Sequence, residues 1–517
     1  MTKQPPRAVS KGASQMSVSA SAALFSSSPV VVLVAGSKEQ DIAMASSAGV
    51  ALGIPVLAAG SPELQEEIER LGATTFLTYG DLKGGWDQLA QSDDRLAGPR
   101  DVEEFDDMLD IDAEVSSVSG RNLLGKVAAL DPMADPAVLT HSSGRAPSSS
   151  GTSSTSPSAG GSGELPQLKH PQDRSPALVL VDSGDAHSVP AVATARAAGA
   201  EVITMDIADP RANAKSVAAV KKAGDATVLA LGSGFGSSDV FAENLSTART
   251  APQLPGGGQL ALPGKLYVAL YGNVLTADLG LLGEQDAQAS IHRAKEYATK
   301  YADISEVPVI PTFEIIVTVA SGSAGADGSY SSKGDVADIE PWVKKAQEEG
   351  VYVILDLQSG REDSLSQAKR YEKLLTYPNV GLAVDPEWRL EPHEQPLQQI
   401  GHIDAEEINR TQDWLADLVQ ENDLPQKIFT LHQFKSHSLP DRSKINFSTR
   451  PEVATLLHAD GQGTQGQKQD TWRVLKQDLP ESAFLGWKNF IDEDQPMLTP
   501  EETMNQVNPI PNFISYQ

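Results

Sequence analysis

At 517 residues the chain is too long for a single core of ordinary size, because cores stop growing at about 250–300 residues. We therefore expect two or three domains. Hydrophobic residues make up 40% and charged residues 21% of the chain, which is typical of globular proteins. The net charge of −28 argues against nucleic acid and anionic lipid surfaces as partners, because both are polyanions.

The sequence has no cysteine, which excludes disulfides, thiolate zinc sites and a cysteine nucleophile. It has no run of about 20 apolar residues, so we predict no membrane span. Segment 1–28 carries Lys3, Arg7 and Lys11, but residues 17–28 are too polar for the apolar part of a signal peptide. No export signal is visible, and we expect segment 1–28 to be a disordered or truncated N-terminus.

The first half of the chain repeats one pattern of apolar runs and helical periods. Short apolar runs between amphipathic stretches indicate parallel strands that are buried on both faces. We predict two small β-α-β-α-β lobes, at residues 29–135 and 176–257. The Ser- and Gly-rich segment 136–175 between them is typical of a flexible linker. The apolar runs of the two copies are residues 29–36, 54–60, 73–80, 176–184, 200–206 and 226–234.

These copies resemble the cell wall-binding repeat 2 module of Gram-positive bacterial surface proteins. An Ala-rich helix leads into Gly-x-Pro-Val-Leu at 53–57, and a charged helix ends in Leu-Gly-Ala at 71–73. The second copy departs from the module, with Glu-Val-Ile at 201–203 where Pro-Val-Leu would stand. The resemblance implies a cell-wall polysaccharide or peptidoglycan as partner, and an extracellular or cell-envelope location in an actinobacterium.

From Lys265 to the last residue, strand-like and helical stretches alternate. About 250 residues with eight such units match the usual size of a (β/α)8 barrel. We therefore predict an α/β protein in which the two lobes are followed by a C-terminal (β/α)8 barrel at residues 263–517. A doubly wound open sheet is the alternative. The predicted barrel strands lie within residues 266–272, 307–319, 351–358, 380–387, 427–434, 453–461, 483–490 and 513–517.

Polar side chains stand where the apolar runs of these strands stop. The carboxyl ends of barrel strands meet at one face, which carries the functional loops, so we predict a polar pocket there. The catalytic candidates are Glu314, Asp356, Asp385 and Glu387. The candidates for substrate binding are Tyr271, Asn273, Gln358, Trp388, His432, Gln433, His458, Asp460, Trp487 and Lys488.

Carboxylates beside aromatic side chains suit a carbohydrate, because sugar rings stack on aromatic faces and hydroxyl groups bond to carboxylates. Glycosidic cleavage needs two carboxyl groups, and the acid needs a raised pKa. We predict Glu387 as the acid, because the neighbouring Trp388 can desolvate it. Asp385, Glu314, Asp356 or Asp460 would be its partner. With its Asp-Pro-Glu element at 385–387, this half is similar to the glycoside-hydrolase-type barrels of actinobacterial envelope proteins.

Two other functions remain open. A non-catalytic glycan- or wall-binding protein would have kept the pocket but lost the acid/base pair. Salt bridges from Asp385 or Glu387 to Lys488 or Arg389 would favour that alternative. A metal-dependent hydrolase would bring His432 and His458 within ligand distance of Asp460. The histidine spacing matches no metal-binding motif, so we predict no metal site and no cofactor.

Overall fold

A computed structural model describes residues 5–81, 95–109, 112–141, 165–166, 168 and 173–517. They form two compact units. Unit 1 comprises the described residues up to Pro210 together with Ser216–Arg249, and unit 2 comprises Arg211–Lys215 and Thr250–Gln517. Within the described ranges, no helix combines the length and the apolar character needed to cross a bilayer.

Unit 1 contains small parallel sheets and the helices between their strands. The strands are β1 (Arg7–Val9), β2 (Val30–Val34), β3 (Val56–Ala58), β4 (Thr75–Tyr79), β5 (Arg95–Ala97), β6 (Glu114–Val118), β7 (Ala137–His141), β8 (Leu178–Asp182), β9 (Glu201–Met205) and β10 (Val228–Leu231). The helices up to residue 250 are α1 (Ala13–Leu24), α2 (Glu39–Leu52), α3 (Glu63–Leu71), α4 (Val102–Leu109), α5 (Leu123–Ala129), α6 (Val189–Ala197), α7 (Ala214–Ala223) and α8 (Ser238–Thr250).

The two sequence copies have the same strand order. The first forms the sheet β3-β2-β4-β5 and the second forms β9-β8-β10-β1, while β6 and β7 pair separately. All of these pairings are parallel. The copies share one core, in which the Thr194 hydroxyl of α6 accepts from the Val56 amide of β3 at 3.0 Å. The two predicted lobes therefore belong to one compact unit.

The N-terminal segment differs from the prediction of disorder over residues 1–28. Of its described residues, Arg7–Val9 form β1 on the edge of the second sheet and Ala13–Leu24 form α1. The serines of α1 do not prevent burial, because they have hydrogen-bond partners. The Ser17 hydroxyl donates to the Ser14 carbonyl oxygen and accepts from the Ala58 amide. Serine content was therefore a poor guide to the burial of this helix.

The first residues of the predicted linker at 136–175 are part of the fold instead. Its first residues form β7, whose Val138 and Leu139 are buried and which pairs with β6. Burial of an apolar strand explains why these residues are ordered. The Ser- and Gly-rich stretch at 142–163 lies outside the described residues.

Unit 2 contains a closed barrel of eight parallel strands, with the short β13 added antiparallel to β12. The strands are β11 (Leu266–Gly272), β12 (Val309–Ala320), β13 (Ser331–Lys333), β14 (Tyr352–Leu357), β15 (Val380–Val384), β16 (Lys427–Gln433), β17 (Val453–Ala459), β18 (Phe484–Asn489) and β19 (Phe513–Tyr516). The helices are α9 (Ala287–Ala302), α10 (Val336–Glu348), α11 (Ser364–Arg370), α12 (Glu372–Leu375), α13 (Ala405–Glu421), α14 (Gln465–Leu475) and α15 (Pro500–Gln506).

Strand β11 closes the barrel, because it pairs with β12 on one side and with the last strand, β19, on the other. The prediction of eight strands and of closure is confirmed, and the open-sheet alternative is wrong. Side chains alternate along each strand between two clusters. In β11, Tyr267 and Ala269 join the interior cluster, whereas Leu266, Val268 and Leu270 join the outer one.

Apolar side chains fill the barrel interior at the amino ends of the strands. The rings of Tyr267 and Tyr352 meet edge to face, with their centroids 5.1 Å apart. Ile428 and Phe513 belong to the same cluster. This plug closes that end of the interior, so a pocket can open only at the carboxyl ends of the strands.

A substitution at Gly381 on β15 can test how closely this plug is packed. A Cβ atom at Gly381 would lie 2.6 Å from the Ile428 carbonyl oxygen and 3.0 Å from the Tyr352 hydroxyl oxygen. Overpacking of this kind costs about 1–3 kcal/mol, so Gly381→Ala is expected to lower the urea midpoint. A Cβ atom at Gly466 of α14 would meet no atom within 4 Å, so Gly466→Ala is the control and should match or exceed the wild-type midpoint. Equal midpoints for Gly381→Ala and the wild type would contradict the close packing.

Candidate functional site

The carboxyl ends of the eight strands place polar side chains in the barrel interior. They occupy every second position of each strand. They therefore continue the inward-facing alternation of side chains that starts in the apolar plug. Most are fully buried, and Asp460 keeps only 8% of its side chain exposed. In chain order from β11 to β19, these polar residues are Tyr271, Glu314, Asp356, Asp385, His432, His458 with Asp460, Lys488 and Ser515.

His432 lies at the centre of this cluster. Its Nε2 atom is 2.9 Å from Glu314 Oε1, and its Nδ1 atom is 3.0 Å from Asp460 Oδ2. Asp356 Oδ1 lies 3.8 Å from the same Nε2 atom. Burial by itself lowers the pKa of His432, but the adjacent Glu314 and Asp356 outweigh it and hold that pKa well above its ordinary value. In this arrangement His432 is a charged imidazolium between carboxylates, and its contact with Asp460 keeps the pKa of that carboxyl low despite burial.

His458 lies beside it, with the two ring centroids 4.7 Å apart. Its Nε2 atom is 3.1 Å from the Ser515 hydroxyl oxygen, and its Nδ1 atom is 3.8 Å from Glu314 Oε1. Burial and the positive charge of His432 lower the pKa of His458 well below its ordinary value. His458 is therefore neutral, and one ring nitrogen carries a lone pair.

Several buried polar atoms in this cluster have no hydrogen-bond partner among the described residues. They are Glu314 Oε2, Asp356 Oδ1, His458 Nδ1 and Asp460 Oδ1. Buried polar groups are nearly always paired in folded proteins, and each unpaired one costs about 1–3 kcal/mol. Their concentration at the end of one barrel marks a place that favours a ligand.

Lys488 and Tyr271 form the opposite side of the cluster. The Tyr271 hydroxyl donates to Asp356 Oδ2 at 2.9 Å, and Lys488 Nζ lies 3.5 Å from the centre of the Tyr271 ring. Burial raises the pKa of Asp356, and Glu314 adds to this effect while His432 opposes it. Among the described residues, no carboxylate oxygen lies within 4.0 Å of Lys488 Nζ. The Lys488 charge therefore remains available to a ligand.

Asp385 and Glu387 follow β15 in a short 3-10 helix, Pro386–Trp388. Asp385 Oδ1 accepts from the Glu387 amide at 3.2 Å, so it caps this turn as well as facing the cluster. Burial and the neighbouring Glu387 raise the pKa of Asp385 well above its ordinary value. The half-buried Glu387 has a pKa raised to about 7, by burial and by Asp460.

The salt bridges that would have favoured a non-catalytic protein are absent from the described residues. Arg389 pairs with Glu407 at 3.2 Å rather than with Asp385 or Glu387. Lys488 contacts the Tyr271 ring instead of either carboxyl group. Among the described residues, neither carboxyl group is therefore neutralised by a salt bridge.

A cavity of about 360 Å³ opens above the cluster. Asp385, Glu387, Asp460 and Lys488 line it. Its size falls within the range of about 300–1,000 Å³ that is usual for ligand pockets. The other predicted residues that line it are Tyr271, Gln358 and Trp388, and the lining residues not predicted from sequence include Phe434, Gln462, Phe490, Glu493 and Gln517.

Five predicted substrate-binding residues do not line this cavity. His432 and His458 are buried in the cluster beneath it, and the other three are Asn273, Gln433 and Trp487. The Asn273 amide donates to the Ile316 carbonyl oxygen, and Gln433 bonds to backbone oxygens and to Arg442. Trp487 packs in the outer cluster against Trp472. Gln433 and Trp487 adjoin the inward-facing His432 and Lys488, so their strand positions point them outward. Counting in steps of two from His432, Lys488 and Ser515 would instead have found Phe434, Phe490 and Gln517.

Two overlapping sets of side chains have ligand atoms close enough to hold a metal ion. One is Glu314, His432 and His458, and the other is Asp385, His432 and Asp460, with the atoms of each set within 4.8 Å of one another. The two histidines therefore converge, as a metal-dependent enzyme requires, but on Glu314 rather than on Asp460.

No protein-family model and no curated protein matches this chain. The fold and the site together define a closed eight-stranded parallel barrel with a buried imidazole–carboxylate cluster beneath a polar cavity.

The raised pKa of Glu387 predicts a pH-dependent effect of Glu387→Gln on stability. Its pKa rises from 4.5 in a free side chain to about 7 in the folded chain, so the neutral acid is the form that folding favours. As the pH rises from about 4.5 through 7, the wild type therefore loses stability relative to the Glu387→Gln variant. We expect similar urea midpoints at pH 4.5, and a variant more stable by about 1–2 kcal/mol at pH 8, with partial exposure discounted.

The matched control is Glu406→Gln on α13, whose side chain is 86% exposed. Its stability difference from the wild type should change little between the same two pH values. If the Glu387→Gln difference is the same at pH 4.5 and pH 8, the raised pKa is wrong.

Proposed function

We propose that unit 2 binds and hydrolyses a glycan, with Glu387 as the general acid, in a barrel of the (β/α)8 type. The observation that carries this proposal is the position of Glu387, half-buried in the cavity wall with a pKa of about 7. A carboxyl group with this pKa is still partly protonated at neutral pH. It can therefore donate a proton to the oxygen of a glycosidic bond.

Asp460 is the preferred partner carboxylate. It lines the same cavity, and its negative charge contributes to the raised pKa of Glu387. His432 Nδ1 fixes its Oδ2 atom, while its Oδ1 atom has no hydrogen-bond partner among the described residues. That free oxygen could attack the anomeric carbon or activate a water molecule. Asp385 also lines the cavity, whereas Asp356 and Glu314 lie deeper, and all three would shape the charge of the site.

The cavity wall supports a sugar as the substrate. Tyr271, Trp388, Phe434 and Phe490 supply aromatic surface, on which the apolar face of a sugar ring can stack. The polar lining supplies hydrogen-bond donors and acceptors for hydroxyl groups. Its amide members are Gln358, Gln462 and Gln517.

For unit 1 we propose attachment to a cell-wall polymer, which would locate the protein at the cell envelope. The support is the resemblance of its first copy to a wall-binding module, together with the repeated strand order of the two copies. In this proposal unit 1 retains the chain on the wall and unit 2 acts on a glycan there.

Hydrolysis is tested by release of reducing ends from purified actinobacterial cell wall. We expect the wild type to release them and Glu387→Gln to lose about 10²–10⁴-fold in rate, because the amide cannot donate the proton. Wild-type activity should fall as the pH rises above about 7, where Glu387 loses its proton. Glu406→Gln should retain the wild-type rate. Absence of release by the wild type would contradict the hydrolase, and wall binding without release would favour a non-catalytic binding protein.

Wall attachment is tested by co-sedimentation of the full chain with the same wall preparation. We expect the wild type and Glu387→Gln to sediment equally, because the proposed attachment belongs to unit 1. Cellulose particles of matched mass serve as the control for non-specific trapping. Recovery of both proteins in the supernatant would contradict an envelope function.

A further inference from the structure

We infer that unit 2 binds one divalent transition-metal ion at the base of its cavity, through His432 Nε2, His458 Nδ1 and a Glu314 carboxylate oxygen. These atoms come from strands β12, β16 and β17, and all three side chains are buried. This inference goes beyond the proposed glycan hydrolysis and does not depend on it.

The distances fit a single ion. Two atoms bound at about 2.1 Å to a tetrahedral ion lie about 3.4 Å apart. Glu314 Oε1 is 2.9 Å from His432 Nε2 and 3.8 Å from His458 Nδ1, so the two distances bracket that value. Asp356 Oδ1 lies 3.8 Å from His432 Nε2 but does not belong to this set.

Each histidine has a hydrogen-bond partner at the ring nitrogen that faces away from the proposed ion, as metal-binding histidines usually have. Asp460 Oδ2 accepts a hydrogen bond from His432 Nδ1 at 3.0 Å, so a metal ion would displace the Nε2 proton of the imidazolium into solvent and bind the Nε2 lone pair. The Ser515 hydroxyl, 3.1 Å from His458 Nε2, can accept its hydrogen and leave the lone pair on Nδ1. The two lone pairs then converge on the Glu314 carboxylate.

The unpaired atoms provide an observation independent of the clustering. Glu314 Oε2, His458 Nδ1 and Asp356 Oδ1 belong to side chains with 0% exposure, and none has a hydrogen-bond partner among the described residues. Of these, the atoms of Glu314 and His458 belong to the set that converges on one ion. One metal ion would therefore satisfy polar atoms that the protein itself leaves unpaired.

The charges of the site also favour a cation. Three carboxyl groups, those of Glu314, Asp356 and Asp460, lie around the proposed site. The nearby positive charges are those of His432 and Lys488. Buried carboxylates without enough positive charge are costly, and a divalent ion compensates them. Two imidazoles with carboxylates suit zinc, iron or manganese rather than calcium or magnesium, which prefer oxygen ligands.

The alternative set of Asp385, His432 and Asp460 is less suitable. An ion in either set would replace one hydrogen bond of His432, with Asp460 in the alternative set and with Glu314 in the proposed one. An ion in the alternative set would in addition leave His458 Nδ1 and Glu314 Oε2 unpaired. We therefore assign Asp460 a positioning role.

The test is titration of the full, EDTA-treated chain with Zn²⁺ by isothermal calorimetry. We expect one ion per chain and a rise in the unfolding temperature, because an ion that binds only the folded state stabilises it. His458→Asn and Glu314→Gln should each weaken the Zn²⁺ affinity at least about 10-fold, as should Asp460→Asn through loss of the His432 orientation. The control is His292→Asn on α9, whose side chain is 77% exposed and which should bind like the wild type.

The visible spectrum of bound Co²⁺ is a second readout, because it reports the geometry of the ligands. We expect His458→Asn and Glu314→Gln to change or abolish that spectrum in chains whose far-ultraviolet circular dichroism shows that they are folded. No stoichiometric Zn²⁺ binding by the wild type, or equal binding by these two folded variants, would overturn the metal site. Wall hydrolysis is measured separately, so metal binding without reducing-end release would contradict only the proposed function.

Discussion

Closure of the barrel between β11 and β19 is the constraint on which the rest of unit 2 depends. A closed sheet has one interior, and every second residue of each strand must point into it. At the amino ends those residues are apolar and form a plug, with Tyr267 and Tyr352 in edge-to-face contact. At the carboxyl ends they are carboxylates, imidazoles, a lysine and hydroxyl groups. The same geometry therefore produces both the stable core and the polar site.

The polar half of the barrel is held together by His432. Its two nitrogens contact Glu314 and Asp460, so one ring joins strands on opposite sides of the interior. Such a cluster is costly to bury, because carboxylates lose their hydration and repel one another. Because of that cost, the pKa values of Asp356 and Asp385 are raised. A site that remains unsatisfied without a ligand is suited to binding one, whether a sugar, a metal ion or both.

Unit 1 is stabilised in a different way from unit 2. Its strands are short, and stability comes from helices that pack closely on small side chains, such as the Ala- and Ser-rich α1 and α2. Several buried hydroxyls bond to backbone groups and replace part of the apolar contact; Ser47, for example, accepts from the Leu139 amide. The edge strand β1 comes from the first residues of the chain and pairs with β10. Chain segments distant in sequence therefore share one core.

The sequence by itself determined the eight barrel strands, because a buried parallel strand needs an apolar run that turns polar where the strand ends. The same pattern identified Glu387, Asp385, Asp460 and Lys488 at the cavity. Choosing residues by polarity and not by strand alternation placed Trp487, the neighbour of the inward-facing Lys488, in a pocket that it does not line. Only the tertiary structure brought Glu314 to His432 across 118 residues, because convergence depends on strand register and barrel closure. Tertiary packing likewise ordered α1, whose serines become compatible with burial only where backbone groups bond to them.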